Sequence, residues 1–291
     1  MKNFSIGIAF AALWASASVA TKFGITQADP LILANLRFFI AGILLLLISY
    51  FLQSKTEFRL PNQKEWKQLV IFGGLNTALY LSLYVWAMKY TAAGIGSLAT
   101  ATSPLFITII STIWLKKRPS LVQMLCLLLG FLGVLVASYP LLQNGSTSTL
   151  GMTLILTSMF VISLASVYYA SVEWKLSNLL INGWQVTIGG LLLLPITLIF
   201  GKFSESSFEI TFWISVLWLS IAVSVVGLIC WFHLLKIDTI KASIWLFLCP
   251  IFGFLYANFF MNEPITWYTI TGTFIVITGL LITMLPKLKS K

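Results

Sequence analysis

The sequence predicts an all-α integral membrane protein whose ten transmembrane helices form two inverted five-helix repeats. Three observations carry this expectation. The 291 residues are 59% hydrophobic and only 9% charged, with a mean hydropathy of +0.97, whereas a soluble domain needs roughly a quarter of its residues charged. Ten apolar runs each approach the ~20 residues that a helix needs to cross hydrocarbon. Landmarks of the first half recur in the second at a nearly constant offset. The first observation alone excludes a soluble enzyme, a disordered chain and a secreted disulfide scaffold.

The runs, in order, are Phe4–Gly24, Pro30–Leu52, Gln68–Met88, Ala92–Leu115 and Ser120–Tyr139, then Leu150–Val172, Leu180–Phe200, Thr211–Leu235, Ala242–Met261 and Thr266–Leu285. The segments are too long and too uniformly apolar for barrel strands, and backbone groups in lipid must be satisfied internally, so each is read as a helix. Lys2, the apolar stretch after it and Ser18-Val19-Ala20 have the look of a signal peptide. Lys22 follows at once, however, and nine further spans need a packing partner, so the first run is expected to stay as a helix. Cys126, Cys230 and Cys249 sit inside apolar runs without CxxC spacing and imply neither disulfide nor metal site.

The net charge of +10 lies between the runs, which points to membrane topology rather than nucleic acid. Alternate connections carry Lys2, then Lys55, Arg59, Lys64 and Lys67, then Lys116, Lys117 and Arg118, Lys175, Lys236 and Lys241, and finally Lys287, Lys289 and Lys291. The intervening ones carry only Lys22, Lys89 and Lys202. The positive-inside rule therefore places both termini in the cytoplasm, with a bacterial inner membrane as the expected location.

Ser97, Ser103-Pro104-Leu105-Phe106 in the fourth run is echoed by Ser243, Cys249-Pro250-Ile251-Phe252 in the ninth, 146 residues later. Arg37 with Gly42 is echoed by Gln185 with Gly190 at 148, and Cys126 with Gly133 by Gly272 with Gly279 at 146. The repeats are read as residues 1–140 and 141–291. Five spans is an odd number, so the second repeat enters the membrane upside down. Inverted repeats build many secondary transporters, with a substrate site between the halves near mid-membrane.

Leu13-Trp14-Ala15, Lys22, Asn35-Leu36-Arg37-Phe38, Tyr90-Thr91-Ala92-Ala93, Pro104, and Pro250 with Glu263 give the whole chain a resemblance to the drug/metabolite transporter superfamily, EamA type. The resemblance implies movement of small metabolites or amino acids, often export, without ATP. Where the first repeat of that family often has Glu after its fourth span, this chain has Lys117.

An ionisable group inside a span is expensive and therefore a functional suspect. Arg37 is the outstanding one, seven residues into its span, with a fork suited to a carboxylate or phosphate. All eight acids lie at span ends or in connections, so the buried carboxylate of a proton-coupled cationic-drug pump is missing. An anionic, zwitterionic or neutral substrate fits better, with proton coupling left open. Trp14, Asn76, Tyr80, Tyr84 and Gln185 are the other expected substrate contacts. Asn76, Tyr80 and Tyr84 are four apart and share a face of one helix. Gly94, Pro104 and Pro250 are expected to let the fourth and ninth spans bend, and His233, the single histidine, is a candidate pH-sensitive gate.

The expected function is a secondary-active or facilitative transporter that exports amino acids or similar amphipathic compounds by alternating access. It has a small-molecule substrate, the bilayer as its surroundings, no cofactor, no metal and no nucleic acid. A membrane-embedded enzyme is disfavoured because no base, carboxylate pair or phosphate loop accompanies the lone histidine. A lipid flippase or scramblase would share the architecture. Oligomeric state is not legible.

Overall fold

In a computed structural model the described residues are 2–52, 59–91, 93–143, 148–261 and 265–284. They form ten helices and no strand. These are α1 (Lys2–Ile25), α2 (Pro30–Leu52), α3 (Gln63–Ala87), α4 (93–114), α5 (Leu121–Gln143), α6 (Thr149–Ser171), α7 (Asn178–Phe200), α8 (Ile210–Ile237), α9 (Thr239–Met261) and α10 (Trp267–Met284). Seven of them, α1, α2, α3, α6, α7, α8 and α9, are long and apolar enough to cross a membrane as they stand.

Helix starts follow local capping chemistry. The Asp29 carboxylate accepts from Leu31 N–H ahead of Pro30, and Asp238 accepts from Ile240 and Lys241 N–H at the start of α9. Ser148 and Ser177 cap α6 and α7 in the same way. At α3, Asn62 and Glu65 form a reciprocal capping box, and Arg59 forks onto both Glu65 oxygens at 2.8 and 2.6 Å. That box starts α3 five residues before the apolar run does, among the lysines.

The halves pack as a pseudo-two-fold pair. Three helices meet their own counterparts, α2 against α7, α4 against α9 and α5 against α10. The cross pairs are reciprocal: α1 lies against α8 and α9, while its counterpart α6 lies against α3 and α4. A two-fold relation demands this at residue level too, so that if i touches j, the counterpart of j touches that of i. At the α5/α10 crossing a Cβ on Gly133 would sit 2.7 Å from the Gly272 carbonyl oxygen, and one on Gly279 3.5 Å from that of Cys126. Gly272 and Gly279 are the counterparts of Cys126 and Gly133, so the two contacts exchange under the symmetry. At the α2/α7 crossing, Gly42 meets Thr187 while Gly190 meets Phe38 and Phe39. Small residues let membrane helices approach closely, and packing is what holds such helices together.

Regular α geometry fails at matched places. Residues Gly74–Leu79 of α3 and Leu219–Gly227 of α8 form π-helical turns, and Thr100–Thr102 of α4 and Trp245–Leu248 of α9 are 3₁₀. Each 3₁₀ stretch lies just ahead of Pro104 or Pro250. Proline has no N–H to give and its ring collides with the carbonyl four residues back, so the preceding turn tightens. Breaks of this kind cluster at functional sites, and here all four surround the interface between the halves.

Candidate functional site

Arg37 on α2 is 2% exposed. Its Nε–H donates to Ser224 Oγ at 2.9 Å, and Ser220 Oγ donates to the Arg37 carbonyl at 3.2 Å. Both serines belong to the π segment of α8. Among the described residues no ion pair includes Arg37. A buried cation without a carboxylate is costly, and the guanidinium faces a cavity rather than packed hydrocarbon. That cavity is lined by Trp14, Ala15, Ala17, Arg37, Tyr80, Leu81, Tyr84, Ser97, Thr100 and Val223. Five helices, α1, α2, α3, α4 and α8, thus contribute to it. Tyr80 and Tyr84 stand with ring centroids 6.1 Å apart.

Of the six substrate contacts expected from sequence, Trp14, Arg37, Tyr80 and Tyr84 surround this one cavity. Asn76 and Gln185 do not line it. Thr77 Oγ1 donates to Gln185 Oε1 at 2.6 Å, and Asn76 Nδ2 reaches the same oxygen at 3.3 Å. Gln185 Nε2 donates to Asn182 Oδ1 at 3.0 Å, and Asn182 Nδ2 to the Ser224 carbonyl at 3.2 Å. This buried chain runs from α3 through α7 to α8 and ends on the residue that holds Arg37. Asn76 leaves the tyrosine face because it sits in the π segment, where the wider turn changes the angular step, so fourfold spacing no longer keeps residues in line.

The remaining expected residues are more scattered. Gly94 and Pro104 lie on α4 and Pro250 on α9, flanking the 3₁₀ stretches. His233 is half-buried near the end of α8, its Nε2 3.4 Å from Asn3 Oδ1, and lines neither this cavity nor the next. Glu263, with Asn262 and Pro264, lies outside the described residues. Sequence reasoning missed the contribution of Ser97 and Thr100. Together with Ser103 they are spaced by three along α4, which is a helical face of hydroxyls.

A second narrow cavity shares Trp14, Tyr80 and Thr100 with the first and continues with Phe10, Ser103, Ile107, Met159, Ile162, Ser166, Trp231 and Leu246. Phe10 comes before Trp14 on α1, and Trp231 comes late on α8. This cavity is therefore displaced toward the face where α1 begins. As the structure stands, each has room for about one water molecule, so the site is closed.

The sequence matches the EamA-like transporter family twice, over residues 2–139 and 149–285. The chain belongs to that family. Among similar proteins, the uncharacterized transporter YvbV of Bacillus subtilis strain 168 is 26% identical over 92% of this chain and 87% of its own length. An uncharacterized transporter of Archaeoglobus fulgidus is 26% identical over 93% of both chains. The plant protein WAT1-related protein At3g02690, chloroplastic, of Arabidopsis thaliana is 23% identical over 94% of this chain and 67% of its own. A solved crystal structure superposes with a TM-score of 0.79 over 98% of this chain and 96% of that one, at 17% identity, which shows a shared fold. This EamA-like protein is thus an integral membrane transporter.

Proposed function

We propose that this transporter carries a small organic anion or zwitterion with an apolar body, amino acids with apolar side chains being the leading class, and that it moves them outward by alternating access. The observation that carries the reading is Arg37: a buried guanidinium with one hydrogen bond and no acidic partner among the described residues, facing a cavity walled by Trp14, Tyr80 and Tyr84. A substrate carboxylate on the free N–H groups supplies the missing counter-charge in a low-dielectric site, where such a bond is strong. The hydroxyls of Tyr80 and Tyr84 are at hand for an ammonium or other polar group, and Trp14 for an apolar surface.

Alternating access follows from the inverted repeat. The proline-marked breaks in α4 and α9 and the π turns in α3 and α8 are the places where each half bends as the closed cavity opens to one side and then the other. The Lys and Arg distribution orients both termini to the cytoplasm, in a bacterial inner membrane. No carboxylate or imidazole lines either cavity among the described residues, so the site has no obvious group to carry a proton with the substrate.

Counterflow of labelled amino acids into proteoliposomes tests the reading. Arg37→Ala is expected to cut exchange at least tenfold while the variant still folds. Unchanged exchange would remove Arg37 from the site, and no exchange of any amino acid by the wild type would shift the search to other organic anions.

A further inference from the structure

The two cavities differ in chemistry, and the difference orients whatever binds. In the first, only the Nε of Arg37 is hydrogen-bonded, which leaves the other guanidinium N–H groups to a ligand. In the second, the hydroxyls are already used. Ser103 Oγ donates to Met159 Sδ at 3.4 Å, Ser166 Oγ to the Ile162 carbonyl at 2.8 Å, and Thr100 Oγ1 to the Ser97 carbonyl at 2.5 Å. A hydroxyl bonded back onto its own helix offers little to a ligand. Among the described residues, no ionisable side chain other than Tyr80 lines this cavity. The remaining wall is Phe10 and Trp231, stacked at 4.8 Å and 18°, with Ile107, Met159, Ile162 and Leu246. Trp14, Tyr80 and Thr100 form the neck that joins the two.

We propose that the second cavity, widened when the two halves part, is the subsite for the apolar part of the substrate, so that a bound molecule lies with its anionic group on Arg37 and its hydrocarbon or aromatic portion against the Phe10–Trp231 stack and Ile107, pointing toward the face where α1 begins. This rests on the reading of Arg37 as the anion contact. It adds a substrate class, monoanions with one continuous apolar tail, and names the residues that select tail length. Acids with a second charged group at the far end are excluded, since that charge would enter a wall with no partner for it. Burial of one methylene is worth ~0.8 kcal/mol, or about fourfold in affinity.

The test is calorimetric titration of the full chain in lipid nanodiscs with acetate, butanoate, hexanoate and octanoate. The matching primary alcohols serve as uncharged probes, and empty nanodiscs correct for partitioning. The expected result is an affinity that rises about fourfold per methylene and then levels off when the cavity is full. Ile107→Phe and Ser166→Leu, which fill the cavity from two different helices, should each lower the hexanoate-to-acetate ratio at least tenfold. Met159→Ala, which enlarges it and adds no bulk, should move the plateau to a longer acid. Arg37→Gln should weaken all four acids by one common factor, keep the gain per methylene and leave the alcohols alone.

A wild-type series that is flat, or a gain that survives both filling variants and a plateau that Met159→Ala does not move, overturns the proposal. If the gain responds to the cavity variants but Arg37→Gln weakens no acid, the anion reading fails while the apolar subsite stands. If no acid binds the wild type, both fall.

Discussion

In each half, the second helix sends a long polar side chain to a hydroxyl in the π turn of the other half's third helix. In one case it is Arg37 of α2 reaching Ser224 of α8, and in the other Gln185 of α7 meeting Thr77 of α3. The positions correspond across the repeat, Arg37 with Gln185 and Ser224 with Thr77. Their surroundings do not correspond. Gln185 is part of a buried chain, accepting from Thr77 and Asn76 and donating to Asn182. Arg37 makes one side-chain bond and turns the rest of its fork to a cavity. The scaffold is therefore the same twice, with a contact that ties helices together in one copy and a contact that ends in an open charge in the other. The symmetric fold thus presents a buried charge in one copy and a satisfied amide in the other.

The sharpest way to break the comparison is to make the halves alike. Arg37→Gln keeps a side chain that can still reach Ser224, as Gln185 reaches Thr77, and removes the charge. Exchange in proteoliposomes is expected to fall at least tenfold. The melting temperature should hold or rise, because an unpaired buried charge is gone. A variant that transports normally would make Arg37 structural like its counterpart.

Gln185→Leu asks the converse. It strips partners from Thr77, Asn76 and Asn182, and buried polar contacts in membrane bundles average ~0.6 kcal/mol each, so a loss of about 2 kcal/mol is expected in a reversible unfolding measurement. Exchange by the folded fraction should stay within a few fold of wild type. Loss as deep as that of Arg37→Gln would mean that both positions serve the substrate.

The α2/α7 crossing sharpens the comparison in packing terms. A Cβ at Gly42 would press on Thr187, including its backbone nitrogen at 3.2 Å, whereas one at Gly190 meets Phe38 Cβ at 3.2 Å and the Phe39 ring at 3.6 Å. At Gly42 the nearest atom, Thr187 Oγ1, would lie closer than real Cβ contacts come, so the crossing must shift, whereas at Gly190 the neighbours need give only a few tenths of an ångström. Both Gly42→Val and Gly190→Val overpack the crossing, at ~1–3 kcal/mol, and Gly42→Val is expected to be the worse by about 1 kcal/mol in thermal unfolding. Equal losses would show that the two faces yield alike.

What was legible in the sequence follows from what is rare in a membrane. A mid-span arginine stands out against lipid, Tyr80 and Tyr84 share a face by spacing, and Trp14 stands out as a mid-span aromatic; these four meet at one cavity. The helices were legible because hydrocarbon admits few alternatives to them, and the repeat because Pro104 and Pro250 or Gly133 and Gly279 are landmarks that recur in order. The fourfold spacing of Asn76, Tyr80 and Tyr84 puts them on one face only at 3.6 residues per turn, and no feature of Gly74–Leu79 announces a π segment. Gln185 was found as the counterpart of Arg37, but its satisfaction by Thr77 and Asn182 depends on how three helices cross. Phe10 and Trp231, from opposite ends of the chain, look like ordinary packing residues until the fold stacks them.

The smallest expected effect concerns the serine that holds the arginine. Ser224→Ala removes the acceptor of Arg37 Nε and leaves the charge, the cavity walls and the Asn182 bond to the Ser224 carbonyl in place. A net hydrogen bond of ~1 kcal/mol corresponds to about a fivefold change. The guanidinium then samples more orientations and binds an anion less well, without any change in the bending of the helices. The expected outcome in exchange kinetics is therefore a KM about three- to fivefold higher with the maximal rate unchanged, and recovery in Ser224→Thr, which restores the hydroxyl as Thr77 carries it in the other half. A fall in maximal rate at constant KM would instead assign Ser224 to the conformational step, through the π turn it occupies. The two π hydroxyls would then be equivalent in role as well as in place.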